Sequence, residues 1–75
     1  MGYLSLDADH LGHLLVVCNA YHEWIIEQVQ TAEMEIMDYG FLAYQVGYMQ
    51  GRLEAERITE DDLTILKEWE EKLTN

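Results

Sequence analysis

The sequence contains no proline and one cysteine, Cys18. A chain of 75 residues buries only about 60% of the surface that its unfolded form exposes. With no second cysteine to close a disulfide, the remaining reinforcements are a structural metal, self-association or a partner. A homo-oligomer is expected, a dimer before anything larger. The lone cysteine also fits a reducing compartment, so the expected location is the cytoplasm. Nowhere do about 18 apolar residues run together, and the opening MGYLSLDADH has neither a basic start nor a long apolar core. Neither a membrane span nor an export signal is expected. The GYMQG stretch has the spacing of a transmembrane dimer motif, but Gln45, Gln50, Arg52 and Glu54 around it exclude a lipid-facing role.

Positive charge is nearly missing. All four cations, Arg52, Arg57, Lys67 and Lys72, follow residue 51, against 15 acids, for a formal net charge of −11. Binding to DNA or RNA phosphates needs clustered cations that release counterions, so direct nucleic-acid binding is not expected. A basic protein partner is.

Catalytic signatures are missing too: there is no glycine-rich phosphate loop, no cysteine pair and no nucleophile beside a base. Cys18 and His22, four apart, would share a helix face and could supply two metal ligands, but a structural zinc takes four, and His10 and His13 point elsewhere. A buried thiol and a core histidine explain the pair. Glu35 with Asp38, and Glu68 with Glu71, have the three-residue spacing of the paired carboxylates that hold magnesium in helical nucleotide pyrophosphohydrolases. Those enzymes also place basic residues near the phosphates, and residues 1–51 offer none. No enzyme activity, metal or cofactor is expected.

What is present is helical periodicity throughout, in one domain spanning residues 1–75, with no linker composition and no repeat. Ser5 or Asp7 can cap a first helix over about 7–30, in which Leu11, Leu15, Cys18, His22, Ile25 and Val29 step at three and four, widened by Leu14, Val17, Tyr21 and Trp24. Over half its circumference is apolar, which demands cover on more than one side. Thr31, followed by Glu33 and Glu35, reads as the cap of a second helix over about 32–56, with Gly40 as a rival break. Thr59 with Asp62, and Ile58 ahead of Leu63, form a capping box and staple for a third helix, whose apolar face is Leu63, Ile65, Leu66, Trp69 and Leu73. The fold class is therefore all-α: a long antiparallel hairpin plus a shorter C-terminal helix.

In the second helix Ala43, Gly47, Gly51 and Ala55 recur every four residues. Glycine inside a helix costs about 1 kcal/mol relative to alanine, so a smooth ridge for close contact is expected there, against another helix of the chain or a second subunit. Tyr44 and Tyr48 on one side and Leu42, Val46 and Leu53 on the other make this helix the expected centre of the fold.

The acids fall into groups. Glu23 and Glu27 lie one turn apart, Glu33, Glu35 and Asp38 gather at the first turn, and Glu56, Glu60 and Asp61 at the second. Helical spacing sets such carboxylates about 5–6 Å apart, near the spacing of phosphates along a nucleic-acid strand. In size, charge and helical content the chain resembles small phage accessory proteins that block host nucleic-acid enzymes, including anti-CRISPR proteins and DNA mimics; the likeness is one of composition. It implies an acidic inhibitor that occupies the nucleic-acid groove of a basic partner. The alternative is a homo-oligomeric assembly protein that interacts through apolar helix faces.

Overall fold

A computed structural model describes residues 2–74. It is all-helical: α1 (Ala8–Gln30), α2 (Ile36–Glu54) and α3 (Glu60–Thr74). α1 opens where Asp7 caps it, the Asp7 carboxylate accepting the His10 backbone N–H at 2.8 Å. Leu4, just ahead of α1, donates its N–H to the carbonyl of Ile58, just beyond α2, at 2.6 Å. The start of α1 therefore lies beside the end of α2, and the two form an antiparallel hairpin.

Both helix ends of the hairpin close by the same device. Beyond α1, Ala32 takes a left-handed φ of 63°, its N–H bonds the Val29 carbonyl at 3.1 Å, and Glu33 reaches back to Gln28 at 2.8 Å. Beyond α2, Glu56 takes a φ of 57°, its N–H bonds Leu53 at 3.1 Å, and Arg57 bonds Arg52 at 2.8 Å. These are Schellman closures, which satisfy the last carbonyls of a helix and ordinarily use glycine at the left-handed residue.

This closure moves the first boundary. Thr31 ends α1 rather than opening α2: its hydroxyl donates to the Glu27 carbonyl at 3.0 Å. The turn consumes the residues after it, so α2 begins at Ile36, not near residue 32. Glu35 stands at its N-cap without a side-chain capping bond. Gly40 lies inside α2 and breaks nothing. The third helix starts as its capping box requires, with the Thr59 N–H donated to Asp62 Oδ2 at 3.1 Å and the Asp62 N–H to Thr59 Oγ1 at 3.2 Å.

The centre of the fold is α1, not α2. α1 packs against both other helices, while α2 and α3 touch only slightly. Leu14, Val17, Cys18, Tyr21 and Ile25 of α1 are buried, and α2 adds only Val46, Met49 and Leu53. Ile58, Leu66 and Trp69 complete the core. The Tyr21 ring stacks on Trp69, centroids 4.4 Å apart, and on Trp24 at 5.6 Å. A glycine-rich helix has less side chain to contribute, and the wide apolar arc of α1 spans both neighbours.

The expected close contact at the small ridge is absent within the chain. A Cβ added at Gly47 or Gly51 would meet nothing within 4 Å. Ala43 is half-buried at the core's edge, whereas Gly47, Gly51 and Ala55 are exposed. The ridge is an outer surface, so its role within the monomer is withdrawn.

Candidate interaction surface

All eight carboxylates singled out in the sequence, Glu23, Glu27, Glu33, Glu35, Asp38, Glu56, Glu60 and Asp61, are exposed. The fold does not gather them into one patch. Glu27, Glu33, Glu35 and Asp38 surround the α1–α2 turn, with Glu23 one turn back along α1. Glu56, Glu60 and Asp61 surround the α2–α3 turn. The 19 residues of α2 at 1.5 Å each separate these ends by ~28 Å, most of the 39 Å long axis of the molecule.

None of the eight is held in an ion pair among the described residues, where Arg52 pairs with Asp62 at 3.1 Å and His13 Nε2 lies 2.9 Å from Glu70 Oε2. Both terminal nitrogens of Arg52 are engaged, while its buried Nε has no partner among the described residues. Arg52 donates to the Tyr48 hydroxyl at 2.7 Å and to the Arg57 carbonyl at 3.3 Å, and its guanidinium carbon lies 4.8 Å from the Tyr48 ring centroid. The Tyr48 hydrogen bond raises its pKa most; desolvation opposes it, and the charge of Asp62 adds a lesser upward push. Arg52, beside the exposed face of α2, thus directs its bonds into its own chain.

Folding does not account for every acid. Glu60 and Asp61 sit in the first turn of α3, where the helix dipole favours anions. Glu27 sits in the last turn of α1, which holds no basic residue; Glu54 ends α2 and Glu56 follows it. These three face the negative end of a dipole, and Glu23 repels Glu27 from one turn away. Their placement costs stability.

The candidate metal and acid pairs stay apart. Cys18 is buried, its thiol within 3.7 Å of the Val46 carbonyl, and burial pushes its pKa up to about 11. Among the described residues no three of the His, Cys, Asp and Glu side chains group so as to hold a metal ion, so Glu35 and Asp38 are not brought to Glu68 and Glu71. No helix there is long and apolar enough to cross a membrane.

One surface was not anticipated. Along α2, Met37, Phe41, Tyr44 and Tyr48 are 84%, 63%, 70% and 54% exposed. They lie away from the buried Val46 and Leu53, and Phe41, Tyr44 and Tyr48 also border an open groove shared with Met49 and with Ile65 and Trp69 of α3. α2 thus carries two apolar stripes, and only one meets the core. The four-three-four spacing of residues 37, 41, 44 and 48 is visible in the sequence, where Tyr44 and Tyr48 alone are expected to flank a central helix and Met37 and Phe41 carry no expectation.

The chain matches no family model, no curated protein and no solved structure.

Proposed function

We propose that the chain is a non-enzymatic acidic binding protein that inhibits or sequesters a basic partner, one whose own ligand is nucleic acid, by presenting carboxylates where that partner expects phosphates. The observation that carries this reading is the set of eight exposed acids without ion pairs, part of it set against the helix dipole at Glu27 and Glu56. Solubility alone does not require acids at the ends of helices that disfavour them, since lysine there would serve solubility and stability together. The two acidic ends, ~28 Å apart along α2, suit an extended basic groove better than a single small pocket. The cytoplasm, where such partners work, is the proposed location.

A second reading is favoured by the exposed Met37, Phe41, Tyr44 and Tyr48 stripe: a homo-oligomeric assembly protein that interacts through apolar helix faces. Salt separates the two, because exposed charges are screened beyond ~8 Å at physiological ionic strength while apolar association holds or strengthens. The test is capture of partners from a lysate by the immobilised chain at low and high salt. Carboxylate binding predicts a nucleic-acid-binding protein retained only at low salt. A partner retained equally at both, with no nucleic-acid affinity of its own, overturns that reading.

A further inference from the structure

We propose that the exposed face of α2 pairs with α2 of a second copy, antiparallel, about a two-fold axis level with Val46. The inference rests on the assembly reading and is independent of the carboxylate reading. Its starting point is that the outward stripe continues past Tyr48 through Gly51 and Ala55. Residues 37, 41, 44, 48, 51 and 55 alternate by four and three, the seam pattern of two helices packed side by side.

Bulk is unevenly distributed along this seam. Its first half carries Met37, Phe41 and Tyr44; its second half ends in Gly51 and Ala55. A parallel pair would set Phe41 on Phe41 and Gly51 on Gly51, crowding one layer and emptying another. An antiparallel pair in which Tyr44 opposes Tyr48 sets Phe41 against Gly51 and Met37 against Ala55. Each layer then joins a large residue to a small one, or tyrosine to tyrosine, and by symmetry every layer occurs twice. The recess for Phe41 exists already: an open groove of about 420 Å³ over Gly47, Gly51 and Ala55, bordered by Tyr3, Tyr48, Arg52 and Arg57.

The flanks agree with the same register. On the side toward α3, Asp38, Gln45 and Arg52 recur every seven residues. The antiparallel register sets Gln45 opposite itself; Arg52, held by Asp62 and Tyr48 of its own chain, adds no new pair. On the other side are Gly40, Gly47 and Glu54, so Gly47 meets Gly47 near the axis and lets the backbones approach. This gives the interior glycines of α2 the close contact that the monomer denies them.

Charge selects this face for self-pairing. Ile36–Glu54 holds Asp38, Arg52 and Glu54, a net −1, so the other residues carry −10 of the total −11. Two copies repel least across α2. Area is adequate: aromatic side chains offer roughly 150–250 Å² each, so at the exposures given the four large seam residues supply ~500 Å² per copy. With the glycine backbone and the flanks added, the pair reaches the ~1,200 Å² at which stable interfaces begin.

The test uses the full chain. Light scattering at tens of micromolar should give a dimer. Phe41→Cys and Gly51→Cys variants, mixed and exposed to an added oxidant, should cross-link to each other more than to themselves, and buried Cys18 should not compete. Gly51→Leu should weaken the dimer at least tenfold without lowering helicity or the melting point of the dilute monomer, because its side chain blocks the recess and its Cβ has open space in its own chain. Phe41→Glu, whose site is exposed in the monomer, provides the same reading if Gly51→Leu folds poorly. Glu23→Lys/Glu27→Lys should stay dimeric. A monomeric parent, including one that binds some other protein through α2, overturns the proposal; so do cross-links confined to like positions, or a dimer indifferent to both Gly51→Leu and Phe41→Glu. None of these outcomes bears on the carboxylate reading, which is tested by the salt dependence of a basic partner.

Discussion

Arg52 and Asp62 join the last turn of α2 to the first turn of α3 through a 3.1 Å ion pair, and the same Asp62 oxygen closes the capping box on the Thr59 N–H. One buried carboxylate thus fixes both the start of α3 and its attachment to α2, two helices that otherwise touch little.

Replacing Asp62 by alanine is expected to cost about 2–3 kcal/mol, more than the ~1 kcal/mol of a cap alone, because it also strands part of the Arg52 guanidinium. Chemical denaturation measures this. Asp61→Ala, on the exposed side of the same turn, should change stability by no more than about 0.5 kcal/mol.

The two left-handed residues, Ala32 and Glu56, occupy positions that glycine adopts without the steric cost of about 1 kcal/mol or more that a side chain incurs. Ala32→Gly and Glu56→Gly should each stabilise by ~0.5–1 kcal/mol, read as a raised melting temperature. Conversely, Gly47→Ala and Gly51→Ala fill open space and should each stabilise the dilute monomer by up to about 1 kcal/mol through helix propensity.

Stability should fall at alkaline pH. Burial raises the Cys18 thiol from its ordinary 9.0 to about 11 and raises Tyr21 as well, so the fold favours the neutral forms. That contribution is complete below the unfolded value and is lost as pH rises from about 9 through about 11. The decline attributable to Cys18 is of order 2 kcal/mol. Denaturation midpoints across pH 8–11 test it, and Cys18→Ala should flatten the profile while lowering stability at every pH.

Much of the architecture was legible because its signals are local. Asp7, Thr59 and Asp62 act within one turn of chain, and their caps form as read. The periodicity of α1 also correctly required cover on two sides. The first turn was misplaced because a threonine followed by two glutamates reads equally well as a helix start or a helix end. What decides is the left-handed turn at Ala32, which no glycine announces. The exposed stripe of α2 and the open ridge at Gly47 and Gly51 were illegible for a different reason. Periodicity shows that a face is apolar but not what covers it, and in a chain of three helices that depends on which one lies in the middle.

Charge reversal at Glu23 and Glu27 separates folding from binding. Removing Glu27 from the negative end of α1 should raise stability by about 0.3–1 kcal/mol, so Glu23→Lys/Glu27→Lys should melt at or above the parent temperature. A substantially lower melting point would show that these carboxylates support the fold.

The most direct test of the carboxylate reading is competition on the captured partner. Affinity for the parent chain, for Glu23→Lys/Glu27→Lys and for Glu60→Lys/Asp61→Lys is measured by titration with and without single- or double-stranded nucleic acid, at about 50 and 200 mM salt. Phosphate mimicry predicts that nucleic acid displaces the parent, that binding of both falls together by roughly tenfold or more over that salt range, and that both reversed variants lose binding while remaining folded. A partner that binds the reversed variants as well as the parent, ignores nucleic acid and tolerates the higher salt would contradict the account and leave assembly through α2 in its place.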